Sequence, residues 1–137
     1  MLNFAKNFLV PISAGFFLHL AIDLLNGYLY SNYGNRSDLE SVPLVLFYST
    51  NWLNLLHAVL PGLAVGFLAK RKPAILGFIS ILLAQSFIGF WQTDYAQPDY
   101  ILLIRFSSVA LPMAFYGLVS AITGFAIRQK VLTTQSR

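Results

Sequence analysis

Residues 59–83 read VLPGLAVGFLAKRKPAILGFISILL, two apolar runs joined by Lys70-Arg71-Lys72 and Pro73. Neither run carries a charge. Followed upstream, the first continues back to about Leu44; followed downstream, the second reaches about Trp91. Each approaches the roughly 20 residues that an α-helix needs to cross a bilayer. A short basic link favours antiparallel neighbours. Pro73 suits a first helical turn, where its missing N–H has no partner to lose. Two further apolar runs lie outside this hairpin, from about Asn7 to Tyr30 and from about Ile101 to Ile127. The expectation is an all-α integral membrane protein, an up-down four-helix bundle. It forms a single transmembrane domain over residues 1–137, with spans at about 7–30, 44–69, 74–91 and 101–127. Pro11, Pro61 and Pro112 fall inside spans, where neighbouring helices can satisfy the carbonyls that proline frees.

Composition narrows the class further. Of 137 residues, 57% are hydrophobic and only 10% are charged, against about 25% charged in a soluble domain. Mean hydropathy is +0.66. Such a chain cannot cover its own surface in water, which excludes a cytosolic enzyme, a nucleic-acid-binding module and a disordered tail. It has no cysteine, so disulfides, thiolate metal sites and redox dithiols are excluded as well. The formal charge of +4 reads as membrane topology. Lys6, Lys70, Arg71, Lys72, Arg128, Lys130 and Arg137 fall on one side of the four spans. The other side holds Arg36 with Asp38, Glu40, Asp94 and Asp99. Positive residues in short loops mark the cytoplasmic face, so both termini are expected inside, in a bacterial inner membrane. Lys6 and the run after it resemble the start of a signal peptide. No small-x-small cleavage site follows, so this run is expected to stay as a helix. Aromatic residues gather at the other boundary, including Tyr28, Tyr30, Tyr33, Trp91, Tyr95 and Tyr100, as an anchoring belt does.

The two hairpins resemble one another. Gly15-Phe16 and Gly27-Tyr28 in the first span match Gly77-Phe78 and Gly89-Phe90 in the third with the same spacing. Gly66-Phe67-x-x-Lys70-x-Lys72 in the second matches Gly124-Phe125-x-x-Arg128-x-Lys130 in the fourth. Parallel repeats of this kind imply a pseudo-two-fold axis along the membrane normal. Gly62-x-x-x-Gly66 and Ser120-x-x-x-Gly124 are small-xxx-small patterns that let helix backbones approach closely. They are candidates for pairing the second span with the fourth, or one copy of the chain with another.

Polar residues inside the spans are where function is sought first. Asp23, Gln85 and Arg105 lie about 8 to 10 Å below the outer boundary at 1.5 Å rise per residue. Asn51 and Asn54 lie somewhat deeper, and His19 and His57 come close to the midplane. His19, Asp23 and Asn26 share one helical face. The expected site is an inward-facing cluster of His19, Asp23, Asn51, Asn54, His57, Gln85 and Arg105, with Asp23 paired to Arg105. Three functions compete over it. In the first, the cluster locks helix register and the protein acts through helix contacts with another membrane protein or with its own copies. It would then be an accessory subunit, assembly factor or immunity-type inhibitor, without enzymatic activity, cofactor or metal. In the second, it is a proton-coupled transporter or channel working through the Asp-Arg-His cluster. In the third, His19 and His57 ligate a b-type haem. No nucleotide loop, haem-attachment motif or HExxH pattern is present.

Overall fold

The computed structural model describes residues 5–33, 52–92 and 106–135. Among these the chain is almost wholly helical, with no strand. The four long helices are α1 (Val10–Tyr33), α2 (Trp52–Leu68), α3 (Pro73–Gln92) and α4 (Leu111–Gln135). Three helical stretches are long and apolar enough to cross a membrane: Lys6–Tyr28, Pro73–Trp91 and Ser107–Gln135. The described part of α2 is 17 residues long, and the expected outer part of that span, 44–51, lies outside the described residues. So do most of the outer connections and much of the aromatic belt, although Tyr28 and Trp91 are exposed.

Proline shapes both helix starts. π-helical turns at Ala5–Leu9 and Phe106–Ala110 run directly into helices whose second residue is Pro11 or Pro112. A proline ring collides with the carbonyl four residues before it, and a widened turn lets that carbonyl move aside. The α2–α3 link is short and tight, with α3 beginning at Pro73 as its chemistry favours. Lys72 adopts a φ of 52°, a left-handed conformation that costs any residue with a Cβ.

Residue contacts fix the helix directions. Gly15 lies against Val65 and His19 against His57, so α1 and α2 are antiparallel. Gly77 meets Ala121 while Gln85 meets Met113, so α3 and α4 are antiparallel too. The pairs α1/α3 and α2/α4 are parallel, as Ile12–Ser80 with His19–Gln85, and Gly62–Gly117 with Ala69–Arg128, require. Both α2 and α3 pack against all three other helices, whereas α1 and α4 stand on opposite sides of them.

Contact between α2 and α4 is the most extensive, although they are not consecutive in the chain. Glycine is the reason. A Cβ at Gly62 would meet Ser120 and the Gly117 carbonyl, one at Gly66 the Ala121 carbonyl, and one at Gly124 the Leu63 carbonyl. These contacts are reciprocal. Moving forward from Gly66 to Gly124, and back by the same number of residues from Ala121 to Leu63, turns one contact into the other, as across a two-fold axis.

Small side chains make up most of the core, with Ile81 the largest one fully buried. Val65, Ala69, Ala84, Ala114 and Ala121 are all fully buried, while Leu24, Phe17, Phe90 and Val119 face outward. This inverts the soluble pattern, and suits helices that meet through close backbone approach with lipid around them. The fourth helix runs past the expected end at Ile127 to Gln135. Hydropathy marks where a helix would leave the membrane, not where it ends, and RQKVLTTQ contains no glycine or proline to stop it. The extension has a use. Arg128 Nη1 donates to the Ala69 carbonyl at 2.9 Å, capping the end of α2. Arg128→Met keeps the apolar stem and removes the donor. It is expected to lower stability by about 1 kcal/mol, measured by reversible unfolding in mixed micelles.

Candidate functional site

The polar layer is built around one proline. Pro61 lies inside α2 and has no N–H, so the carbonyl four residues earlier loses its helical donor. That residue is His57. A bare carbonyl is costly in a helical interior away from water. The neighbouring helix supplies the missing donor, for His19 Nδ1–H on α1 donates to the His57 carbonyl oxygen. This fixes the tautomer, leaving Nε2 as the acceptor. The Gln85 amide on α3 lies 2.8 Å from His19 Nε2 and donates to it. The same amide donates to Met113 Sδ on α4 at 3.3 Å. One chain of hydrogen bonds therefore links all four helices, from Met113 through Gln85 and His19 to the backbone of α2.

Both imidazoles are buried, His19 completely and His57 at 3% exposure. Their ring centroids are 5.0 Å apart with planes tilted by 36°. His57 Nε2 makes no hydrogen bond among the described residues and lies 3.7 Å from Asp23 Oδ1. That distance is too long for a hydrogen bond. Asp23 sits one turn beyond His19 on α1, and its side chain keeps 29% of its exposure. Asn26 continues the same stripe, half-buried. A separate tie, from Ser80 Oγ–H to the Ile12 carbonyl at 2.9 Å, joins α1 to α3 nearer the other end.

Of the expected cluster, the structure brings together His19, Asp23, His57 and Gln85. Asn51 and Arg105 lie outside the described residues, and so does the side chain of Asn54 on α2. The expected Asp23–Arg105 pair lies outside them too; within the described residues the carboxylate faces His57. Gly62, Gly66, Ser120 and Gly124 all lie at the α2–α4 contact. Sequence reasoning missed Pro61 as the origin of the site and Met113 as its far end. The four-residue spacing of His57 and Pro61 was a visible signal for the first.

The arrangement bears on haem. Both nitrogens of His19 are engaged, one as donor and one as acceptor. An iron ligand needs an imidazole lone pair, so ligation would require the Gln85 bond to break and α1 and α2 to part. No protein-family model matches the chain, and neither does any curated protein or solved structure. Function therefore rests on the geometry.

Proposed function

We propose that the chain is an up-down four-helix bundle of two duplicated hairpins in a bacterial inner membrane, with both termini cytoplasmic. It acts without enzymatic chemistry as an accessory subunit, assembly factor or immunity-type inhibitor. Its working surface is the outer face of its helices, which contacts another membrane protein. The observation that supports this reading is the way the polar core closes on itself. Both ring nitrogens of His19 and both amide donors of Gln85 are spent inside the protein, so the layer holds helices together and offers little to a substrate. The reciprocal Gly66·Ala121 and Gly124·Leu63 contacts support duplication.

A second reading has its own observation. Asp23 is partly exposed and faces a buried imidazole nitrogen that lacks a hydrogen bond, an arrangement from which a proton could be passed in a transporter. One substitution separates the two. Asp23→Asn is expected to leave the protein folded and still bound to one membrane partner in fixed stoichiometry after purification in mild detergent. A purified wild-type chain that moves protons across vesicles, with the movement lost in Asp23→Asn, would replace the first reading with the second.

A further inference from the structure

We infer that the end of the protein carrying the α2–α3 link is a binding surface for the headgroups of anionic phospholipids. The inference rests on the membrane reading above. Three elements bring cations to this end. Lys70, Arg71 and Lys72 form the link itself, and all three are exposed. Arg128 is tied to the link through the Ala69 carbonyl, which brings the exposed Lys130 alongside. Phe8 and Ile12 pack on Val65, Ala69 and Leu76, which places the exposed Lys6 at the same end.

Among the described residues no acidic side chain lies near this charge. Among the described residues Asp23 is the sole acidic side chain, and it lies about 25 Å along α1 from Lys6 at 1.5 Å per residue. The remaining four acidic residues, Asp38, Glu40, Asp94 and Asp99, fall in sequence between α1 and α2 and between α3 and α4, outside the described residues. Within the described residues these cations have no carboxylate beside them, which leaves them to attract anions from outside the protein. Cations at the rim of a membrane helix meet a layer of phosphodiesters, and each adds about fivefold to the attraction for an anionic surface.

The test uses the full chain purified in mild detergent and titrated with phosphatidylglycerol or phosphatidylcholine, with bound lipid counted by native mass spectrometry. Wild type is expected to retain phosphatidylglycerol over phosphatidylcholine. In a Lys70→Gln/Arg71→Gln/Lys72→Gln variant that preference should fall by roughly 100-fold, from three cations at about fivefold each, with far-UV circular dichroism unchanged. Lys70→Arg/Lys72→Arg should keep it. Equal retention of the two lipids by wild type, or an unchanged preference in the triple variant, would overturn the inference. Displacement of the lipid by inorganic phosphate, but not by chloride at matched ionic strength, would also overturn it by assigning the cations to a soluble anion. Failure of the underlying reading looks different: the protein would leave native membranes in alkaline carbonate without detergent.

Discussion

His19→Ala is expected to destabilise the protein by about 3 kcal/mol. The figure has two sources. The imidazole makes two interhelical hydrogen bonds, to the His57 carbonyl and from the Gln85 amide. Such bonds inside membrane proteins average about 0.6 kcal/mol and reach about 1.7. The side chain is also fully buried, so truncation leaves a void among α1, α2 and α3, and voids of this kind cost about 2 kcal/mol or more. Helix content should survive, because each helix keeps its own backbone bonds. Unfolding in mixed micelles, followed by circular dichroism, reads the loss. A loss below about 0.5 kcal/mol would mean that the imidazole neither fills space nor supplies the donor.

Gly66→Leu should have an effect of similar size through packing alone. A Cβ at Gly66 would run into the carbonyl, carbonyl carbon and Cα of Ala121. These are backbone atoms of a helix and cannot rotate away, so α2 and α4 must separate. Overpacking of a tight interior costs about 1 to 3 kcal/mol, and the upper end applies where both sides are backbone. Gly27→Leu is the matched control, since nothing lies within 4 Å of a Cβ there. It should be neutral or slightly stabilising, because leucine is the better helix former by up to about 1 kcal/mol. Equal effects at the two positions would show that close approach at Gly66 does not hold α2 to α4.

Much of this architecture is legible in the sequence because long apolar runs and the charged residues between them mark out the helices and their turns. The Lys70–Lys72 cluster between two apolar runs specifies an antiparallel hairpin, and the small-xxx-small patterns point to the α2–α4 pairing. Depth along the spans placed His19 and His57 together near the midplane and Gln85 nearer the outer boundary, and one inward-facing cluster was expected to hold all three. Rotation of each helix about its axis was not legible, and rotation decides who bonds to whom. The sequence displays Pro61 four residues after His57, so a freed carbonyl is foreseeable. That the donor is His19, with Gln85 and Met113 behind it, depends on how α1 and α3 turn against α2. The continuation of α4 beyond Ile127 escaped for a different reason. Arg128 and Lys130 look like an exit from the membrane, which they resemble by charge, while helix propensity carries the backbone on to Gln135.

If His19 supplies the donor that Pro61 denies to the His57 carbonyl, a double-mutant cycle at the two positions will show coupling. Stability would be measured for wild type, His19→Ala, Pro61→Ala and the double variant in the same mixed micelles. Alanine at 61 restores an N–H within the helix, which has little to add while His19 is present. Once His19 is gone, it should satisfy the stranded carbonyl. Pro61→Ala is expected to recover about 1 kcal/mol of the stability lost in His19→Ala. Additive effects to within about 0.5 kcal/mol, with no recovery in the double variant, would contradict it.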